Sequence, residues 1–154
     1  MAGASQFSPD GVRVARFVIT GENWLDPSTL RLAFKLKNTS ATQTLQLVSG
    51  PWCLFDQVRL LIGGVGHLLM PNAWNIESTN EDGLRWEPNT YPQVQPKIIG
   101  PGQYLSLNLT PLQAILNAQK YLPIRYMGGM QLEFTLCNAD EALHPLSASR
   151  TYQI

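Results

Sequence analysis

Charged side chains are scarce in this sequence: Asp, Glu, Lys and Arg make up 14% of its 154 residues, against ~25% in a typical soluble domain. The 11 basic and 11 acidic residues leave a formal net charge of zero. A neutral chain lacks the excess positive charge that attracts phosphate groups, so we expect no direct contact with nucleic acid. A chain of zero net charge is also prone to associate with other proteins.

Cysteine and histidine are equally scarce, with two residues of each type. Cys53 and Cys137 are too few to form a disulfide framework. His67 and His144 have no Cys or His partner at the spacing of a metal site. The sequence also lacks a nucleophile elbow and a phosphate-binding loop. We therefore predict no catalytic residue, no cofactor and no metal, and we expect that the protein is not an enzyme.

Targeting and membrane signals are missing as well. The first eleven residues, MAGASQFSPDG, have neither the basic start nor the apolar core of a signal peptide. No apolar run approaches the ~18 residues that a membrane-spanning helix needs. We expect synthesis inside the host cell, no membrane insertion, and a flexible N-terminal end over residues 1–11.

What the sequence does contain is alternation of apolar and polar residues, which predicts strands with one buried face. The alternation is regular in residues 30–37, 104–109 and 130–137. The longest apolar-rich run, Trp52 to Ile62, also predicts a strand, and Gly63-Gly64 after it predicts a hairpin turn. The residues predicted to share one core are Leu30, Leu32, Phe34, Leu36, Leu105, Leu107, Leu132, Phe134 and Leu136.

One stretch favours a helix. Thr110 is a good N-cap, Pro111 suits the first helical position, and Gln113 completes a capping box. Because Pro123 follows, we predict one short helix near 111–120. The segment between the last regular strand and Arg150 is polar and predicts a loop.

The segment 71–102 has a different composition, with five of the eleven prolines and several Asn, Asp and Glu residues. We predict a long, mostly irregular loop with one short strand near Val94 to Ile99, and loops of that length in a compact domain are usually functional. Its aromatic residues Trp74, Trp86 and Tyr91 are the candidate inter-subunit contacts, because clustered exposed apolar residues mark interaction sites. The same three residues suit an alternative role as a sugar-binding platform.

Many strands, one helix and no alternation of strands with helices predict an all-β fold. Regular strands joined by one long excursion favour an antiparallel jelly-roll sandwich over an up-and-down barrel. We assign this jelly-roll domain to residues 12–154. Arg150 to Ile154 has the composition of a strand that stops early, so we expect a domain that lacks its final strand and recruits one from a continuation or a partner.

A series of short motifs follows a recognisable order along the chain. The motifs, in order, are Trp24-Leu25-Asp26-Pro27, Leu30–Phe34, Gly50-Pro51-Trp52, Val58–Gly64, Gly100–Gln103, Lys120-Tyr121-Leu122-Pro123 and Leu132–Leu136. The series resembles the N-terminal jelly roll of double jelly-roll major capsid proteins of icosahedral DNA viruses, in the virophage, polinton-like and large eukaryotic DNA virus lineage. The chain differs from the family in residues 70–83, MPNAWNIESTNEDG, where the family often has an Asp- and Asn-rich helical segment. The 154 residues are also too few for the family's second jelly roll.

The resemblance implies a structural virion protein, a capsid jelly-roll subunit located in the virion capsid. It implies partners that are copies of itself and other capsid proteins, in trimeric or pseudo-hexameric capsomers of an icosahedral shell. The alternative from another class is a carbohydrate-binding β-sandwich module. A cupin-like enzyme would need a metal-binding set of histidines that His67 and His144 do not supply.

Overall fold

The computed structural model describes residues 5–70, 98–109 and 120–154. This part of the chain is mostly β, and all its sheets are antiparallel, as the alternation predicted. Its one α-helix, α1, spans Ala139–Ala142. The strands are β1 (Val14–Ile19), β2 (Trp24–Leu25), β3 (Leu32–Asn38), β4 (Leu45–Gln46), β5 (Phe55–Ile62), β6 (Val65–Met70), β7 (Ile98–Ile99), β8 (Tyr104–Leu109), β9 (Leu122–Pro123), β10 (Met130–Leu136) and β11 (Tyr152–Gln153).

The larger sheet has the strand order β1-β10-β5-β6. Its β10 shows the predicted alternation: Met130, Leu132, Phe134 and Leu136 are buried, and the residues between them are half-buried. Such a strand packs one face on a core, so β10 fixes which side of the sheet faces inward. The β5–β6 turn is the predicted hairpin at Gly63-Gly64, where both residues have positive φ (56° and 82°). Positive φ at both positions is the type I′ geometry that glycine permits.

The smaller of the two main sheets has the order β11-β3-β8, and two further two-stranded ladders pair β2 with β9 and β4 with β7. Its β11 forms within the predicted terminal strand segment, where Tyr152 and Gln153 pair with Asn38 and Lys37. Beyond β11, the backbone of Phe7 exchanges two hydrogen bonds with Ile154, at 2.8 and 2.9 Å. At Phe7 the expected loose N-terminal end is therefore tied to the edge of this sheet.

Both sheets contribute aromatic rings to one core. The ring of Phe55 in β5 lies 5.7 Å from that of Phe34 in β3 and 5.5 Å from that of Phe134 in β10, both edge-on. Edge-to-face pairs add ~0.5–1.5 kcal/mol beyond the burial of apolar area. Trp52 also packs on Phe55, at 5.9 Å between ring centroids.

The predicted core residues do share this cluster. Leu36, Leu132, Phe134 and Leu136 are buried in it, which confirms the prediction for these four. The other five predicted residues pack against it while remaining half-buried. These five are Leu30, Leu32, Phe34, Leu105 and Leu107.

Two local predictions need correction. Pro51–Leu54 is a 3-10 helix, so the strand predicted from Trp52 begins only at Phe55. Pro51 fixes φ at the first helical position, and the Cys53 N–H bonds back to the Gly50 carbonyl, which closes a turn in place of a ladder. The sequence predicts a loop for the polar segment after β10, but this segment contains α1. The helix predicted near 111–120 and most of the loop 71–102 lie outside the described residues.

Candidate functional site

The predicted contact residues Trp74, Trp86 and Tyr91 all lie outside the described residues. The described part of the chain nevertheless exposes two apolar features. The first is a group of aromatic side chains beside the β2–β9 ladder. The second is a groove between β1 and β3.

The β2–β9 ladder joins two of the motifs that carry the capsid resemblance. Trp24 lies opposite Pro123, and Leu25 lies opposite Leu122. Leu122 is buried and Leu25 is packed against the core, so this pair fixes the ladder to the rest of the fold. Because neighbouring strand residues point to opposite faces, Trp24 is turned away from the core.

The outward side of this ladder carries large aromatic side chains. Trp24 is 64% exposed and Tyr121 is 66% exposed. The alternation that turns Leu122 inward puts Tyr121 on the same side as Trp24 and Pro123. The 3-10 turn Ile124–Tyr126 follows β9 and ends in a third exposed aromatic residue. We refer to Trp24, Tyr121 and Tyr126 as the aromatic surface.

Local hydrogen bonds stabilise the loop that presents Trp24. The Asp26 carboxylate accepts bonds from the Ser28 backbone N–H at 3.0 Å and from the Ser28 hydroxyl at 2.6 Å. Pro27, next to this cap, is buried. An N-cap of this kind is worth about 1 kcal/mol. These contacts hold the loop next to Trp24 in one conformation.

The groove is a cavity of about 600 Å³ between β1 and β3. Ala15 and Phe17 line its β1 side, Leu32 and Phe34 line its β3 side, and Phe134 is among its innermost residues. A second cavity of about 430 Å³ adjoins it at Phe17 and Leu32. We refer to the two cavities together as the β1–β3 groove.

The groove is open because both strands that flank it have a free side. β1 is at the edge of the larger sheet, where it pairs only with β10 among the described strands. Phe17 and Val18 on this edge strand are exposed for that reason. Unpaired strand edges beside apolar side chains favour association with another chain.

Among the described residues, the buried thiol of Cys137 lies next to a carboxylate, but this thiol is unreactive. The Cys137 thiol donates a hydrogen bond to Glu141 Oε2, with 3.2 Å between Sγ and the oxygen. Burial, the hydrogen bond to Glu141 and the negative charges of Glu141 and Asp56 together raise the pKa of Cys137 to about 12, and burial is the largest cause. A thiol with that pKa stays protonated at neutral pH and is a poor nucleophile.

The described ranges contain no group of three or more His, Cys, Asp or Glu residues that could hold a metal ion. They also contain no helix long and apolar enough to cross a membrane.

Sequence reasoning identified the two motifs of the β2–β9 ladder but did not predict that they pair. The sequence feature that could have suggested this pairing is shared by both motifs: an aromatic residue is followed by a leucine and then, within two positions, by a proline. No protein-family model matches the chain, and no curated protein and no solved structure matches it either.

Proposed function

We propose that this protein is a structural virion protein, a capsid jelly-roll subunit that assembles into trimeric or pseudo-hexameric capsomers of an icosahedral shell. One observation carries the proposal beyond the resemblance of the sequence. Two of the motifs behind that resemblance, at Trp24–Pro27 and Lys120–Pro123, meet in one ladder and present the aromatic surface.

The aromatic surface suits the centre of a protein–protein interface. Trp and Tyr are enriched among the residues that carry most of the binding energy of interfaces, because they bury a large area with few rotatable bonds. In the isolated chain Trp24 and Tyr121 are exposed to water, so the favourable free energy of burying their rings is not gained. In the proposed capsomer, a neighbouring copy covers them, and the low charge of the chain reduces repulsion between the copies.

The remaining parts of the proposal come from the sequence. The two antiparallel sheets with a shared core are compatible with a jelly-roll sandwich, which is the finer fold that we propose. Trp74, Trp86 and Tyr91 stay predicted as a further inter-subunit contact. Other capsid proteins would surround the capsomer, and contact with the genome would pass through them.

The mass of the native assembly tests the proposal. We expect multi-angle light scattering to give three times the 17.1 kDa of one chain, or a larger multiple of that trimer. A double variant, Trp24→Ser with Tyr121→Ser, should shift the assembly towards monomer. The matched control is Val65→Ser with Leu146→Ser, which removes two other exposed apolar side chains. A wild-type chain that stays monomeric at every concentration would contradict the proposal.

The carbohydrate-binding alternative assigns the sugar-binding platform to Trp74, Trp86 and Tyr91. A glycan array probed with the wild-type chain should show no bound sugar. Specific binding that disappears when these three residues are replaced with Ser, with no change in mass, would replace the capsid function with the sugar-binding one.

A further inference from the structure

His144 accepts a hydrogen bond in the loop that leads from α1 to β11. The Leu146 backbone N–H donates to His144 Nδ1, with 3.1 Å between the two nitrogens. Acceptance from the N–H two residues later is the arrangement that Asn and Asp side chains form in Asx turns. A neutral imidazole accepts at one nitrogen and carries its proton on the other. The His144 ring is therefore the tautomer with its proton on Nε2.

The turn at His144 joins this loop to β4. The His144 N–H donates to the Gln46 carbonyl at 2.9 Å, and the Ser147 N–H donates to the His144 carbonyl at 2.7 Å. The hydroxyl of Ser147, a buried residue, accepts from the Gln46 N–H at 3.0 Å. Farther along, the Ser149 N–H donates to the Thr44 carbonyl at 2.9 Å. A change at His144 therefore acts on Ser147, through which the loop contacts β4.

Protonation removes the acceptor at His144. Both nitrogens of an imidazolium carry protons, so the ring can only donate. The Leu146 N–H would then face a second proton in place of a lone pair. Histidine is the side chain that ordinarily changes its charge between about pH 5 and pH 8. The His144 side chain is half-buried, so water reaches it.

Arg150 makes the protonated ring unfavourable in its present position. The Arg150 guanidinium donates to the His144 carbonyl at 3.4 Å and to the Pro145 carbonyl at 2.9 Å. A guanidinium has no acceptor to offer an imidazolium, and the two positive charges repel each other. The strand against which the loop packs, β4, consists of Leu45 and Gln46 and adds no charge of either sign.

Carboxylates line a cavity next to this loop. The cavity has a volume of about 420 Å³, and Leu143 and Pro145, the two neighbours of His144 in the sequence, line part of it. Its acidic lining residues are Asp56 of β5 and Asp140 and Glu141 of α1, and none of its described lining residues is basic. We refer to it as the acidic cavity. An imidazolium that turned into the acidic cavity would gain negatively charged neighbours, which favour its protonated form.

We propose that His144 is a pH switch in the loop between α1 and β11. At neutral pH the ring accepts from the Leu146 N–H and closes the turn. In acid the imidazolium releases Leu146, turns away from Arg150 and donates to a carboxylate of the acidic cavity. The loop around Ser147 then loosens from β4. The switch depends on local contacts alone and is independent of the capsid function proposed above.

Amide hydrogen exchange measured by NMR at about pH 7.5 and about pH 5 tests the switch, with rates corrected for the intrinsic effect of pH on exchange. We expect protection at Leu146 and Ser147 to fall at least fivefold in acid. Protection at Leu132, a buried residue of β10, should stay within about twofold. An equal fall at Leu132 would overturn the proposal, because the whole domain would then be opening.

Substitutions of His144 separate the acceptor from the proton. His144→Asn keeps an acceptor for the N–H two residues later but does not titrate in this range. We expect it to keep its protection at Leu146 at both pH values. His144→Lys carries a positive charge and no acceptor, so Leu146 should be unprotected at both. The control His67→Gln removes the other histidine and should switch like wild type.

The acidic cavity is tested with Asp140→Asn with Glu141→Gln, which removes two carboxylates and keeps their shapes. The midpoint pH of the exchange transition at Leu146 should fall relative to wild type, because the protonated ring loses favourable neighbours. The matched control, Asp10→Asn with Glu22→Gln, removes two other exposed carboxylates and should leave the midpoint unchanged. The proposal is overturned if Leu146 is equally protected at both pH values in wild type, or if His144→Asn loses protection in acid as wild type does. Equal midpoints in the cavity variant and wild type would also overturn it.

Discussion

The hydroxyl group of Tyr152 donates a hydrogen bond to the backbone carbonyl of Cys137, with 2.8 Å between the two oxygens. Tyr152 belongs to β11 of the smaller sheet, and Cys137 directly follows β10 of the larger sheet. Both residues are buried. This bond is therefore a polar link between the two sheets inside a largely apolar core, and a satisfied buried link of this kind helps to specify one arrangement of the elements.

The Tyr152 link can be removed with little change in shape. Tyr152→Phe keeps the ring but deprives the Cys137 carbonyl of its donor. We expect a loss of about 1–3 kcal/mol in the free energy of unfolding, because a buried acceptor without a partner keeps its desolvation penalty. Urea denaturation measures the loss. The control Tyr121→Phe alters an exposed tyrosine and should change stability by less than about 0.5 kcal/mol. Equal effects of the two variants would contradict the role of the link.

Alkaline pH should destabilise the fold through the same pair of residues. Burial raises the pKa of Cys137 from 9.0 to about 12, and burial also raises the pKa of Tyr152 above its ordinary value of 10.0. A group whose pKa is raised by folding binds its proton more tightly in the native state. Its contribution is complete below the unfolded pKa and is lost as the pH rises towards the folded value.

The expected result is a free energy of unfolding that falls between about pH 9 and pH 12. Replacing the thiol in Cys137→Ala should reduce the slope of this decline, which denaturant titrations at several pH values would measure. Other groups that titrate in this range are common to both proteins, so their effects cancel in the comparison. Identical slopes in the two proteins would show that Cys137 does not ionise on unfolding as proposed.

Local sequence patterns were enough to predict the strands that alternate. Residues 104–109 and 130–137 contain β8 and β10, and residues 30–37 contain β3 except for its last residue, Asn38, because period-2 alternation reports directly which face of a strand is buried. The Gly63-Gly64 hairpin was equally predictable, since a turn with positive φ at both positions needs glycine.

The errors arose where another constraint overrides the apolar pattern. Trp52 to Leu54 is as apolar as a strand, but Pro51 starts a 3-10 turn there. α1 is one turn long and shows no apolar periodicity; its signals are Asn138 at the N-cap position and the acidic pair Asp140 and Glu141 in the first turn.

The candidate binding surfaces could not be predicted because they depend on contacts between distant segments. The aromatic surface exists because β2 pairs with β9, and no local pattern specifies that partner. The β1–β3 groove lies between strands of two different sheets. Leu32 and Phe34 line this groove and are half-buried, whereas Leu36 is fully buried in the core.

Truncating Phe134 should destabilise the core strongly. Its ring packs on Phe55 from its own sheet and on Phe17 of the edge strand, at 5.5 and 5.8 Å between centroids. Phe134→Ala should cost about 3–5 kcal/mol, since it removes a buried ring and leaves a cavity. The control Val18→Ala truncates an exposed residue of β1 and should cost little. A loss below about 1 kcal/mol for Phe134→Ala would mean that the ring is not part of a packed core.

Nucleic acid should bind weakly if at all, although β3 carries a small positively charged face. The chain as a whole is neutral. Two other basic residues of the described part are already engaged: Arg16 pairs with Glu133 at 2.8 Å, and Arg13 donates to the Leu136 carbonyl at 2.8 Å.

The salt dependence of binding decides this last prediction. If Arg31, Lys35 and Lys37 all contacted phosphates of double-stranded DNA, the logarithm of the binding constant would fall with the logarithm of salt concentration with a slope of only about −2.7. We expect filter binding to detect no retention at physiological salt, and no difference between the wild type and Lys35→Glu with Lys37→Glu. Tight retention with a much steeper slope would require a larger basic surface than these three residues provide, and would show that the protein contacts the genome directly.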